Sequence, residues 1–196
     1  MNKHQKRYKL VVFGASRIGK TSTILQFIDG RFIETYQPSG DATYQKTIQI
    51  DNKRVEIDIS DICVSEESKG STHYYIRTRD GFILMYSITS RYSFDLIQDI
   101  HNEIYRIRDK EMNEHIPCII VGNKSELTEE REVGTEEGMK YSESVQCHFI
   151  ESSAKRNENI NEIFEIITKD VIKYKENNNQ IESSNEEIKQ KGCFIV

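Results

Sequence analysis

A doubly wound α/β domain is the fold class this sequence predicts, and three observations predict it. Short apolar runs rich in β-branched residues alternate with segments of helical period along most of the chain. One pair of strands with apolar residues at every second position, joined by Asp51-Asn52, interrupts that alternation as a hairpin. A glycine-bearing turn, Gly14 to Gly19, separates the first strand from the first helix, at the carboxyl edge where such sheets bind ligands.

The elements follow in order. Lys9 to Phe13, Phe82 to Ile88, Ile116 to Val121 and Cys147 to Ile150 are short, strongly apolar and bounded by Gly, Asn or Ser, which suits parallel strands buried on both faces. Thr21 to Asp29, closed by Gly30, has helical character, as does Thr135 to Glu143. Ser93 to Arg108 places Phe94, Ile97, Ile100, Ile104 and Ile107 at spacings of three and four. The last predicted helix runs from Ile160 to about Tyr174 with Ile160, Ile163, Phe164, Ile167 and Val171 on one stripe. Asn159 and Glu162 resemble a capping box at its start. Between Thr43 and Ile59, Ile48 and Ile50, then Val55, Ile57 and Ile59, give the hairpin, so one strand must run antiparallel at the sheet edge. The expectation is a six-stranded, mostly parallel sheet with helices on both faces, formed by residues 1–174. Residues 175–196, rich in Asn, Glu, Ser and Lys, are expected to be a disordered tail.

Composition narrows the setting. The chain has 196 residues, 36% of them apolar, enough for one domain with a sizeable core. No apolar run approaches the roughly 18 residues of a membrane span, and the opening MNKHQKRYKL lacks the apolar stretch of a secretory signal. An intracellular setting is expected. The four cysteines (Cys63, Cys118, Cys147, Cys193) are far apart in sequence without metal-ligand spacing, and read as reduced thiols. A net charge of −5 gives no general reason to expect nucleic acid as a partner.

Gly14-Ala15-Ser16-Arg17-Ile18-Gly19-Lys20-Thr21 fits G-x-x-x-x-G-K-[ST], after a strand and opening a helix. In such a P-loop, glycines let backbone N–H groups turn in on a β-phosphate and the helix N-terminus adds partial positive charge. Lys20 reaches the β and γ oxygens, and the Thr21 hydroxyl ligates Mg²⁺. The competing reading is a glycine-rich turn carrying a solvated lysine. Further along, Asn123-Lys124-Ser125-Glu126 and Glu151-Ser152-Ser153-Ala154-Lys155 follow two more strands, on the same sheet edge.

With these motifs in this order, the chain resembles the Ras family of small GTPases from Tyr8 to Tyr174, and again at its last four residues. The resemblance implies a P-loop NTPase fold, GTP or GDP with Mg²⁺ as ligands, and the role of a molecular switch. Asn123 and Lys124 stand in the guanine-reading N-K-x-D motif, with Glu126 in place of its aspartate. Ser153, Ala154 and Lys155 form the second base-reading loop, the Ala154 N–H facing guanine O6; adenine presents an amine there and leaves the donor unpaired. Phe32 stands where the family packs a ring across the base. Ser39 and Asp61, with Thr21, are the implied Mg²⁺ ligands, Asp61 through water.

The implied catalytic positions are altered. Lys20 is kept, but the glycine whose N–H senses the γ-phosphate is Val64, and the glutamine that positions the attacking water is Ser65. Ser16 replaces a P-loop glycine where the family leaves room for a partner's arginine finger, worth roughly 10³ to 10⁵ in rate. Arg17 offers a charge in cis, against the plainer reading of a solvated loop arginine. Slow GTP hydrolysis is therefore expected.

The effector loop Tyr36-Gln37-Pro38-Ser39-Gly40-Asp41-Ala42-Thr43-Tyr44 is similar to the family's Y-D-P-T-I-E-D-S-Y, with an apolar anchor replaced by Gly40 and an acid by Ala42. Effectors through residues 36–44 and exchange factors are the implied partners of a monomer. Cys193-Phe194-Ile195-Val196 has the form C-a-a-X, implying prenylation of Cys193, with geranylgeranyl favoured over farnesyl but both open. One chain gives reversible anchoring, and the mixed-charge tail adds no polybasic patch, so a cytoplasmic plasma-membrane pool exchanging with cytosol is expected. A scaffold locked in one nucleotide state remains the alternative; an ATP user is disfavoured by Asn123, Lys124 and the Ser153 to Lys155 loop.

Overall fold

A computed structural model describes residues 6–32, 42–65 and 68–192, with side chains described as far as residue 179. Positions 33–41, among them Tyr36, Gln37, Pro38, Ser39, Gly40 and Asp41, lie outside the described residues, as does Cys193.

The elements are β1 (Arg7–Gly14), α1 (Lys20–Asp29), β2 (Ala42–Ile50), β3 (Lys53–Cys63), α2 (Lys69–Thr78), β4 (Gly81–Ser87), α3 (Arg91–Arg108), β5 (Cys118–Asn123), α4 (Thr135–Ser144), β6 (His148–Ser152) and α5 (Ile160–Gly192). They build a six-stranded sheet of order β2-β3-β1-β4-β5-β6. Only β2 runs antiparallel, against β3. The turn between these two has both central residues left-handed, Asp51 at φ 46° and Asn52 at φ 62°, as a two-residue hairpin with type I′ geometry requires.

Period two explains the layers. Along the central strands, Leu10, Val12, Ile83, Met85, Ile119 and Val121 face α1 and α5, where they pack with Ile24, Phe27, Ile163, Phe164 and Ile167. The alternate residues Val11, Phe13, Phe82, Leu84 and Ile120 face the other side and pack with Ile76 of α2 and Phe94, Ile97, Ile100 and Ile104 of α3. Each central strand is thus apolar on both faces, which is why it reads as a continuous run rather than an alternating one.

Helix ends are set locally. The Ser90 side chain accepts from the Ser93 N–H at the start of α3, and Arg106 and Arg108 sit in its last turn, complementing the helix dipole. Gly30, at φ 66°, ends α1 with its N–H donating to the Gln26 carbonyl.

Three expectations need amending. α2 has no forecast counterpart: it buries only Thr72 and Ile76, too few inward positions to show a period. α5 continues past the expected boundary at Tyr174 to Gly192, because no Gly or Pro stops it and the end of the apolar stripe at Val171 ends packing rather than helix. The first residue past that boundary, Lys175, docks on the body, 2.8 Å from Asp80. The forecast capping box at Asn159 does not form: Asn159 is left-handed at φ 59°, and its amide donates to the Glu151 carbonyl at 2.7 Å instead.

Candidate functional site

The carboxyl ends of the parallel strands come level at one edge, with Ser87 beside Asn123 and Asn123 beside Ser152. β1 leaves this edge at Gly14, which has no room for a side chain: a Cβ there would lie 2.2 Å from the Met85 carbonyl oxygen. Gly19 closes the turn at φ 98°, and a Cβ there would meet the Asn123 amide nitrogen at 2.3 Å. Both P-loop glycines are therefore dictated by close approach, the second also by backbone conformation. Between them Ala15 and Ile18 tuck into the core, while Ser16 and Arg17 face solvent, Arg17 left-handed at φ 63°.

Lys20 opens α1 and is 6% exposed. Its ammonium donates to the Ala15 carbonyl at 2.8 Å, arching from the end of the loop to its start. Burial pushes its pKa below the ordinary lysine value, while the nearby Asp61 carboxylate and Cys63 thiol oppose that shift. The Thr21 hydroxyl donates to the Asp61 carboxylate, and both groups are buried. Asp61 is held opposite Val12 by the β1–β3 register. This hydroxyl and carboxylate are oxygen donors, the type a hard divalent cation takes, so the pair fits Mg²⁺.

The positions expected to read a base gather behind the loop. Buried Asn123 donates from its amide to the Ile18 carbonyl at 2.8 Å and accepts from the Ser152 hydroxyl at 3.3 Å, tying P-loop, β5 and β6 together. The Ser125 N–H donates to the Ser152 carbonyl, fixing the Lys124 to Glu126 loop against β6, and Lys124 turns that loop at φ 66°. One Glu126 carboxylate oxygen is buried without a hydrogen-bond partner among the described residues. An unmet buried acceptor at this position is what a base edge carrying N–H donors would satisfy. Ser153 and Glu158 exchange backbone hydrogen bonds, and the Ser153 hydroxyl accepts from the Arg156 N–H, so Ala154, buried, and Lys155, exposed, sit on a closed turn. Phe32, 38% exposed, stands beyond the end of α1.

The chain after β3 takes a shape that sequence did not reveal. The Val64 N–H donates to the Gly14 carbonyl at 3.1 Å, closing the Gly14–Cys63 pairing where the β1–β3 ladder ends, so Val64 is fastened by its backbone to the first P-loop residue. Ser65 is turned to Ser68: its N–H donates to the Ser68 hydroxyl at 2.8 Å, and that hydroxyl also contacts the Cys63 and Ser65 carbonyls, each at 3.0 Å. Ser68 is the organising residue that motif reading missed, and Ser152, present in the second loop motif, carried no role there. A serine directly before a helix was the available signal for Ser68; the contact of Ser152 with Asn123 shows itself only through the strand register.

Ala42, Thr43 and Tyr44 of the expected effector loop lie in β2, where the Thr43 hydroxyl sits 3.3 Å from that of Ser60. With the cradle, the oxygen pair and the two loops after β5 and β6 at one edge, the family comparison decides the matter: the Ras family model matches residues 9–173. The chain belongs to the Ras family. It is similar to Ras-like protein 1 of Saccharomyces cerevisiae, 36% identical over 185 residues, which are 92% of this chain and 59% of that protein. The chain thus spans about 59% of the length of this curated relative. Among its described residues no helix is long and apolar enough to cross a membrane.

Proposed function

We propose that this Ras-family chain is a guanine-nucleotide-binding switch that hydrolyses GTP slowly. Gly14 and Gly19 leave room for a diphosphate, Lys20 supplies its counter-charge, and Thr21 with Asp61 would hold Mg²⁺, Ser39 being the third expected ligand. A bound Mg²⁺ ion neutralises charge on the β- and γ-phosphates. Glu126 accepts from the guanine N1–H and amine, and the Ala154 N–H is assigned to guanine O6.

The observation that carries slow hydrolysis is the Val64 hydrogen bond to Gly14. The N–H that would sense a γ-phosphate already has an acceptor, and the β-branched side chain resists the conformations open to glycine. Ser65 points its polar atoms at Ser68 and is too short to bridge water and phosphate as glutamine does. Ser16 adds bulk at the place a partner's arginine finger would use. Together these remove positioning, on which phosphoryl transfer by such proteins mostly depends.

The same contacts favour a second reading, a scaffold locked in one nucleotide state or empty. Two measurements separate them: the nucleotide retained by the purified chain, and single-turnover phosphate release. Retained GTP with very slow release is the expected result. Retained GDP with ordinary Ras-like release overturns slow hydrolysis, and an empty site establishes the scaffold. Effectors are assigned to residues 36–44, where Gly40 and Ala42 remove an apolar anchor and an acid, and weaker encounters with basic partner edges follow. Membrane attachment is assigned to a single prenyl group on Cys193, at the cytoplasmic face and in exchange with cytosol. Cys193→Ser should leave the protein cytosolic; unchanged membrane binding refutes the anchor.

A further inference from the structure

At the end of the sheet opposite the P-loop edge, two thiols and an imidazole converge in the core. Cys118 begins β5, Cys147 immediately precedes β6, and the β5–β6 register places them side by side, one residue ahead of the Ile119–His148 pair. His101 comes in from α3. One ligand atom from each of the three lies within 4.8 Å of the others, and the His101 Nε2 is 3.5 Å from the Cys147 sulfur. His101 and Cys118 are 1% and 3% exposed; Cys147 is half-buried and gives the cluster its one side near solvent.

Core packing does not account for the histidine. Its Nδ1 is buried without a hydrogen-bond partner among the described residues, while Tyr105 and Tyr141 pack around its ring at 5.1 and 6.3 Å. An aliphatic side chain would fill this space and leave no polar atom unmet. Two thiols and an imidazole are the donors that thiophilic cations select.

We propose that His101, Cys118 and Cys147 form a binding site for a thiophilic cation, zinc(II) being the ion whose chemistry they match. Coordination removes a proton from each thiol to solvent, and two thiolates with a neutral imidazole balance the ion's charge. Ligands around tetrahedral zinc stand about 3.5–3.8 Å apart, so the cluster has to draw in by about 1 Å. The half-buried Cys147 side leaves the fourth position to water. Cys118 stands about 17 Å of strand away from Asn123, the β5 residue at the nucleotide edge, so the site braces α3, β5 and β6 and takes no part in phosphate chemistry.

The experiment uses the full chain, reduced and saturated with GDP and Mg²⁺, titrated with zinc(II) against a chromophoric chelator and separately with cobalt(II). The expected result is one equivalent of zinc, a thiolate-to-cobalt charge-transfer band, and a higher melting midpoint with zinc. Cys147→Ser and His101→Gln should weaken zinc binding at least tenfold and suppress the band, while Cys63→Ser and Cys193→Ser leave both intact. Because Cys118→Ser alters a fully buried position, the half-buried Cys147→Ser carries the test. No zinc uptake by the wild-type chain, or a cobalt band that survives Cys147→Ser, overturns the proposal.

Discussion

Replacing Asn123 by alanine should loosen the P-loop from behind. Its amide holds the Ile18 carbonyl at 2.8 Å, and its carbonyl takes the weaker Ser152 hydroxyl contact at 3.3 Å. A net hydrogen bond contributes about 1 kcal/mol, and a buried polar atom left without a partner costs about 1–3 kcal/mol. Asn123 is 1% exposed and Ser152 is fully buried, so water compensates poorly and a loss of roughly 2–4 kcal/mol follows. For a domain of this size that is a fall of roughly 4–16 °C in the melting midpoint. If about half of the loss is felt by the cradle, nucleotide affinity drops about tenfold. Thermal unfolding of the Mg²⁺–GDP form and equilibrium titration with a fluorescent guanine nucleotide measure the two effects. Ser152→Ala should cost less than half as much, since it removes only the longer contact. A variant at Asn123 that melts within a degree of wild type and binds nucleotide unchanged would refute the reasoning.

Other consequences are equally measurable. Val64→Gly with Ser65→Gln should raise single-turnover GTP hydrolysis at least tenfold, since it restores a mobile N–H and a side chain long enough to orient water; an unchanged rate means the two residues do not limit catalysis. Glu126→Ala should lower the preference for guanine over adenine nucleotides at least tenfold, read by competition binding; an unaltered preference removes Glu126 from base recognition. Lys20 carries its charge in a buried setting that lowers its pKa, so the nucleotide-free fold pays a penalty that is full below the depressed pKa and gone above the ordinary value of 10.5. Lys20→Met should therefore melt higher than wild type at neutral pH without nucleotide, the gap narrowing as pH approaches 10.5, while binding is lost. A gap that widens with pH contradicts that sign.

Much of this was legible in the sequence because it is encoded locally. The P-loop spacing, the left-handed Asp51-Asn52 turn and the apolar strands each depend on a few adjacent residues, and each lies where expected. Features set by tertiary contact were not legible. α2 buries one apolar side chain among ten residues, and Asn159 forgoes its cap for a carbonyl eight residues earlier in the chain. The junction of His101, Cys118 and Cys147 depends on strand register, which no sequence spacing reports. At the candidate site the motif residues were legible, whereas the fastening of Val64 and Ser65 was not, because it depends on where β3 stops pairing.

That stopping point alters what a partner of this surface could detect. A segment hinged at glycine swings when a third phosphate arrives and relaxes when it leaves. With the Val64 N–H fastened to the Gly14 carbonyl, a segment that moved here would have to break that bond first, and the Gly14 oxygen would then need a new donor. On the proposed reading, whatever broke that bond, protein or ligand, would decide when this surface changed shape, so the timing would lie with the visitor and not with the age of a nucleotide.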